Sequence, residues 1–596
     1  MFIGIDLGTS SIKMILVDYE QNILATSIAS LTVQNPKDGF SEQNPSEWIE
    51  ATFECLEALK SKKPKEFSET ISIGISGHMH GATLIDDKGS VIRPCILWND
   101  TRSHQECIEF ENQSFDVRSL SGNIAMPGFT APKINWLKNN EKESFNKIFK
   151  VLLPKDYLRF YLTGEYYSEM SDASGTLWLD VKKRKWSEKL LSCSFLESKH
   201  MPNLVEGNQE TGILKSTFKD KFQFKHNVKV VGGAGDNAAA AVGMGITEPN
   251  QSFISLGTSG VFFAPTKDFL SNTGDAVHSF CHCLPNKWHL MSVMLSASNC
   301  LDWVCSVTNT SIEQSLKNVE SFYSDKDSIS NAPFFLPYLS GERTPHNDPH
   351  IRGSFHSIKT STNATNLQYA VIEGISFGIL DGVNSVLKVN SDFENIFIVG
   401  GGSRSSFWNS FLSSLLYRKL SVCEQSEFGA ALGVARLAMY ADESRMSQKD
   451  IIKEIKVDKE YKPKSNDIDF MYVDNLRQNN MSKEFTPTVK QTMLALDCTG
   501  FLNSSYTEIS KHTACDRSSP IVVRQDENDE TLQTTLIAKR QWKIPYKDMD
   551  SELAIDIDDV LDLNKIVDPR QDIQQTEKNK LDDIMFDKVD LGEYTL

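Results

Sequence analysis

The 596-residue sequence predicts an α/β protein: two lobes, each a mixed sheet flanked by helices, followed by an acidic carboxyl-terminal segment of unassigned fold. Three observations carry that expectation. The run Ile5-Asp6-Leu7-Gly8-Thr9-Ser10 returns as Ile254-Ser255-Leu256-Gly257-Thr258-Ser259, 249 positions later, each copy beside apolar, strand-like residues. A repeat at that spacing points to two similar lobes. Strands that run into glycine-rich turns and then into helical patterns recur at two further places. Residues 481–596 hold 23 acidic and 14 basic residues but only two glycines, so the turn-rich architecture stops before them.

Taken in order, Phe2 to Ile5 and Ile12 to Val17 are β-rich and read as a hairpin. Gly8 permits its tight turn, and Thr9, Ser10 and the neighbouring N–H groups can then face an anion. Val228 to Val231 leads into Gly232-Gly233-Ala234-Gly235-Asp236-Asn237, and a helix is predicted over Ala238–Met244. Ile396 to Val399 leads likewise into Gly400-Gly401-Gly402-Ser403 and a helix over Phe407–Tyr417. Strand, glycine turn and helix together bring backbone amides and a helix amino terminus against phosphate or ribose. For any one such turn, close helix–strand packing through glycine is an equally good explanation. The acidic stretch from Asp548 to Asp562 reads as a solvated face or tail, with a boundary expected between Tyr461 and Glu484.

Composition narrows the function. Apolar residues at 40% and charged residues at 24% are globular values. A net charge of −17 repels nucleic-acid backbones, so no nucleic-acid partner is expected and an anionic ligand must be met by a local pocket. Eleven scattered cysteines without a CxxC pair fit a reduced, cytoplasmic protein. The opening MFIGIDLGTS lacks the charged and apolar regions of a signal peptide, and no uninterrupted apolar run is long enough to predict a membrane span. His278, Cys281, His282 and Cys283 come closest to metal-ligand density. Neighbouring strand residues point to opposite faces, which favours core packing over a metal site.

From Met1 to about Ala441 the chain resembles the xylulokinases, members of the FGGY carbohydrate kinases within the actin-like, ribonuclease H-like ATPase superfamily. The resemblance is collinear. It runs through GIDLGTSSIK at 4–13, HMHG at 78–81, RPCILWNDTR at 93–102, PGFTAPKINWL at 127–137, LLPKDYLRFYLTGE at 152–165 and SDASGTLWLD at 171–180. It continues through GAGDNAAAAVG at 233–243, SLGTSG at 255–260, LPYLSGERTPHND at 336–348, GGGSR at 400–404 and GAALGVARLA at 429–438. The resemblance implies a sugar-binding lobe at residues 1–245, a nucleotide-binding lobe at 246–455, and a linker and acidic extension at 456–596. It implies transfer of the γ-phosphoryl group of ATP to D-xylulose, with Mg²⁺, and permits a homodimer; the alternatives are a kinase for another pentulose or polyol and, from another class, a nucleotide-driven interaction protein of the actin-like fold. Sugar and ATP are the expected partners, and they meet in the cleft.

Roles follow residue by residue from the same resemblance. Asp236 is the expected general base, since a sugar hydroxyl is a poor nucleophile unless a carboxylate accepts its proton; a helix cap worth about 1 kcal/mol is the plainer use of such an aspartate. Asp6 is expected beside the transferring phosphate, holding Mg²⁺ through water. Met79, His80, Gly81, Trp98, Asn99, Asp100 and Asn237 are the expected sugar contacts. Thr9, Ser10, Gly257 and Thr258 are expected to meet phosphate, and Gly401, Gly402 and Asn409 the adenosine side. Lys13 and Arg343 can add positive charge to the cleft. Two departures stand out: His78 occupies a position where the family usually has glutamine, and Ala430 one where it often has proline.

Overall fold

The computed structural model describes residues 1–324, 329, 332–390, 393–423, 428–440, 451–453 and 455–464. The acidic segment and the expected 461–484 boundary beyond Lys464 lie outside the described residues. The first lobe is a seven-stranded sheet. Its strands are β1 (Phe2–Leu7), β2 (Ser11–Val17), β3 (Ile23–Ser30), β4 (Ser72–Gly77), β5 (Glu210–Ile213), β6 (Lys229–Val231) and β7 (Ala234–Gly235). They lie in the order β5-β6-β4-β1-β2-β3, with β7 also on β4. β1, β2 and β3 form an antiparallel meander, and β4 and β6 continue it in parallel.

The second lobe repeats this plan. Its seven strands are β8 (Gln251–Leu256), β9 (Gly260–Thr266), β10 (His278–Cys281), β11 (Trp288–Met294), β12 (Asn395–Val399), β13 (Leu420–Cys423) and β14 (Val457–Tyr461), in the order β10-β11-β9-β8-β12-β13-β14. Again an antiparallel trio, β8, β9 and β11, is followed by two parallel strands, β12 and β13. The recurring LGTS sequence is the turn after the first strand of each plan. The copies are not identical: Leu7 pairs with Ile12, whereas Leu256 pairs with Gly260, so the first turn is one residue longer. The second lobe also reaches past its expected limit of residue 455, because β14 forms its edge strand.

Helices join the lobes. The main ones are α1 (Pro154–Thr163), α2 (Asp236–Met244), α3 (Ala364–Leu387), α4 (Ser406–Leu416) and α5 (Gly429–Met439). The helices predicted over 238–244 and 407–417 correspond to α2 and α4. α5 lies between β13 and β14 of the second lobe in sequence, yet its residues Val434, Ala435 and Leu437 share a core with Phe2, Ile15 and Val17 of the first. Conversely, Ala241 and Met244 of α2 share a core with Phe253, Phe397 and Val399 of the second. Glycine makes this exchange possible. A Cβ on Gly4 would lie 1.9 Å from the Ala431 carbonyl oxygen, and one on Gly433 would lie 1.8 Å from that of Ala239. α3 is long and apolar enough to cross a membrane by length and composition, but it packs in the second lobe with Tyr369, Ile372, Ile375 and Val386 buried.

Candidate active site

Each of the two LGTS turns is closed by its own backbone. Gly8 N–H donates to Ser11 O at 3.0 Å, and Gly257 N–H to Ser259 O at 3.2 Å. Ser10 and Thr258 are exposed and Thr9 is half-buried. The first turn is tied to two neighbouring segments: Trp98 Nε1 donates to Thr9 Oγ1 at 3.0 Å and Gln43 Nε2 to the Thr9 carbonyl at 2.6 Å. The second is tied to the next helix, since Ser298 N–H donates to Gly257 O and Ala297 N–H to Thr258 O, both at 2.9 Å.

Asp236 stands where β7 becomes α2. It is the first helical residue, and Gly235 occupies the cap position, so the capping role does not describe it. Its Oδ1 accepts from Asn237 N–H at 2.7 Å and Asn237 Nδ2 at 2.8 Å, while Oδ2 has no hydrogen bond among the described residues. Asn237, expected at the sugar, thus orients the carboxylate. β1 and β4 run in parallel register with Asp6 beside Ser76, whose Oγ donates to Asp6 Oδ1 at 2.7 Å. Burial raises the Asp6 pKa, against the Ser76 hydrogen bond and the Lys13 charge. Burial, and then the Asp6 charge, lift Asp236 to about 6. The structure therefore brings the two expected catalytic carboxylates close enough for the Asp6 charge to be felt at Asp236, though they are distant in sequence.

The HMHG loop follows β4. Met79 lies against the turn that leads to Asp236: a Cβ on Gly235 would be 3.0 Å from its Sδ. His80 adopts a left-handed backbone (φ 69°), and its Nδ1 is 2.7 Å from the Gly175 carbonyl. A carbonyl can only accept, so Nδ1 carries the proton and Nε2 is left as the acceptor. Burial pushes the His80 pKa down to about 3, so the ring is neutral. Phe129 packs on it edge-on at 4.8 Å, and His278 lies 6.5 Å away. Gly81 serves packing, since a Cβ there would meet Pro154 Cγ at 2.6 Å and Cys95 Sγ at 2.9 Å.

Three expected sugar contacts behave differently from one another. Trp98 links the loop to Thr9, as above, and Asn99 is exposed. Asp100 does not present its carboxylate to a sugar: both oxygens are taken by Arg102, and Oδ2 also accepts from Ser41 N–H at 2.6 Å. That carboxylate braces the loop instead. His78, in place of the family's usual glutamine, is buried with its ring 5.7 Å from that of Trp48. Its ring nitrogens have no hydrogen-bond partner among the described residues, and burial holds its pKa near 3.

Sequence reasoning missed Lys133. Its buried ammonium donates to the carbonyls of His80 at 2.9 Å and Gly128 at 2.8 Å, pinning two loops of the pocket, and burial brings its pKa down to about 7. A lysine on the otherwise apolar face of the PGFTAPKINWL helix was the available signal. The Arg343 guanidinium lies 3.3 Å from His278 Nε2.

A cavity of about 580 Å³ is lined by Lys13 from the first lobe and by Gly400, Gly401, Arg404, Lys459 and Tyr461 from the second. Gly400 has a φ of 90°, and a Cβ there would meet Leu256 O at 2.6 Å. A Cβ on Gly401 would meet nothing within 4 Å, which leaves its backbone open to the cavity, whereas Gly402 packs on Leu256. Asn409 is fully buried, and its Nδ2 holds the turn through Ser403 O at 2.7 Å, so it shapes this wall from behind. Tyr461 and Lys459 of β14 both reach Ser406 Oγ, at 3.1 and 3.0 Å. Ala430 is the second residue of α5.

Among the described residues no group of three or more His, Cys, Asp or Glu side chains could hold a metal. Cys281 Sγ donates to Val181 O and Cys283 Sγ to Ala238 O, while His282 Nδ1 accepts from Leu284 N–H at 3.1 Å. A lone carboxylate such as Asp6 nevertheless suits Mg²⁺, which keeps most of its waters and shares a nucleotide's phosphates.

Comparison with known proteins agrees with this geometry. Residues 1–243 match the amino-terminal domain of the FGGY family of carbohydrate kinases, and residues 252–441 match its carboxyl-terminal domain. The chain is 43% identical over 466 residues to the xylulose kinase of Escherichia coli, covering 78% of this chain and 94% of that protein. It is 35% identical over 448 residues to the xylulose kinase of Staphylococcus xylosus, covering 74% and 91%. The crystal structure of a xylulose kinase from Brucella ovis superimposes with a TM-score of 0.75 at 41% identity, over 80% of this chain and 99% of that one.

Proposed function

Because the chain belongs to the FGGY family of carbohydrate kinases, we propose that it transfers the γ-phosphoryl group of ATP to the 5-hydroxyl of D-xylulose. That it is a carbohydrate kinase follows from the family. D-Xylulose as the acceptor is supported by the identity to xylulose kinases over nearly their whole length. The observation that carries the mechanism is the Asp236 carboxylate, held by Asn237 through Oδ1 alone and placed between the Met79–His80 loop and Asp6.

Phosphoryl transfer asks the protein for positioning and charge compensation more than for covalent chemistry. The acceptor hydroxyl lies against Asp236, whose Oδ2 takes the proton as the new P–O bond forms. A pKa near 6 suits this work: the carboxylate is mostly ionised at neutral pH, yet more basic than an ordinary aspartate. His80 accepts a sugar hydroxyl at Nε2, and Met79 packs on the carbon chain. Backbone amides of the two LGTS turns meet the phosphates, and Gly401 admits the adenosine side into the cavity lined by Arg404 and Tyr461. Mg²⁺, when bound, neutralises developing phosphate charge, and Asp6 is the residue that would hold it through water. The reading includes a cytoplasmic location and the lobe division near residue 245. Turnover of ATP coupled to each of a panel of ketoses and polyols tests it: D-xylulose is expected to give the highest kcat/KM, and preference for another acceptor would replace D-xylulose in the reading.

A further inference from the structure

Behind the base lies a cluster of charges that the mechanism leaves unused. Lys155, Asp156 and Arg159 of α1, with Glu169 and Asp172 just beyond it, are each at most 1% exposed. Burying five ionisable groups costs more than pairing returns in many proteins, so such a cluster is poorly explained by stability alone. Its contacts converge on one object. Glu169 Oε1 and Ser171 Oγ both accept from Gly235 N–H, at 3.1 and 3.0 Å, and Arg159 Nη1 donates to Gly232 O at 3.2 Å. The glycine turn that ends at Asp236 is therefore gripped at both ends.

The grip is itself braced. Ser171 Oγ donates to Glu169 Oε1 at 2.6 Å, and Asp172 N–H donates to the same oxygen at 2.8 Å. Asp156 accepts from Lys155 at 2.7 Å, from Arg159 at 3.0 Å and from Ser168 Oγ at 2.6 Å. Lys155 Nζ also lies 3.5 Å from Asp172 and 3.9 Å from Glu169. Burial opposes the Lys155 charge, but these three carboxylates outweigh it and hold its pKa above the usual value. Lys155 also packs on the strand that leads to the sugar loop, since a Cβ on Gly77 would touch its own at 3.0 Å. Gly77 and Gly235 are register partners, so one buried cluster sets both the sugar loop and the base.

We propose that Glu169, Ser171 and Arg159 are positioning residues, which fix the Gly232–Gly235 turn and through it the place of the Asp236 carboxylate. The inference rests on Asp236 being the base. Displacing a base by a fraction of an ångström lowers turnover without removing any sugar or nucleotide contact, at a cost on the order of ten- to a hundredfold. The full chain carrying Ser171→Ala or Glu169→Gln is expected to lose kcat by about that factor while both KM values stay within about twofold. In an Asp236→Asn background neither substitution should lower the residual rate further, because there is no base left to misplace. A cooperative melt checks folding, and Ser171→Ala, which removes one hydroxyl, decides the matter if Glu169→Gln does not fold. Unchanged kcat in folded Ser171→Ala, or an equal loss with and without Asp236, overturns the proposal. Near-normal kcat in Asp236→Asn alone would instead overturn the reading of Asp236 as the base.

Discussion

Replacing Asp236 by asparagine should make the protein more stable and nearly inactive at once. The side chains are isosteric, and Asn Oδ1 can still accept from Asn237, so packing and this hydrogen bonding barely change. What disappears is a charge held in a site that disfavours it. Burial holds the Asp236 carboxyl at a pKa of about 6 against 3.8 for an ordinary aspartate, a difference worth about 3 kcal/mol. Because the side chain is only half-buried, solvent screening reduces this to about 1–3 kcal/mol. The sign follows from proton binding. Between pH 3.8 and about 6 the folded state holds the proton that the unfolded state has released, so the wild type loses stability as pH rises through that window. Asparagine does not titrate there. Thermal melts should show the variant ahead above pH 6 and level with wild type near pH 4, while kcat at pH 7.5 falls by about 10² or more. A variant that is no more stable at pH 7.5 than at pH 4, relative to wild type, would refute the burial argument.

Other outcomes follow from the same geometry. His80→Ala should raise the KM for sugar at least tenfold and leave that for ATP within about twofold, because the cavity lining is untouched; steady-state kinetics with each substrate varied in turn checks this. Gly433→Ala should destabilise by about 2 kcal/mol or more, since overpacking against the Ala239 carbonyl outweighs the roughly 1 kcal/mol that alanine gains in a helix, and an unchanged melt would contradict the close crossing of α2 and α5. A chain ending at Asn480 should keep sugar-dependent ATP turnover, because every residue assigned to sugar, phosphate or adenosine precedes it; a folded but inactive product would place part of the site beyond residue 480.

Much of this architecture was legible because glycine carries meaning that one sequence can show. The repeated LGTS run marked two lobes, and the GGAGDN and GGGS turns marked the entries to α2 and α4. What stayed hidden depends on contacts between distant segments. Asp100 reads as a pocket residue, and only the fold reveals that Arg102 and Ser41 consume its carboxylate. β14 lies past the expected limit of its lobe, since an exposed Val-Asp-Lys-Glu-Tyr edge strand has little apolar signal of its own. Lys155 and Ser171 sit within blocks that the resemblance picked out and Glu169 falls between two of them, but the charge of Lys155 and Glu169 alone argues for a surface. Their burial beside Gly235 is a property of the packed chain.

The claim that this chain is a xylulose kinase working through Asp236 is tested most directly by following phosphorus. With ATP, Mg²⁺ and D-xylulose, ³¹P NMR should show one equivalent of a sugar 5-phosphate for each ADP formed, inorganic phosphate should stay near background, and Asp236→Asn should abolish the sugar ester signal on the same timescale. ADP accumulating with inorganic phosphate and no sugar ester, or ester formation that survives the loss of Asp236, would contradict the account.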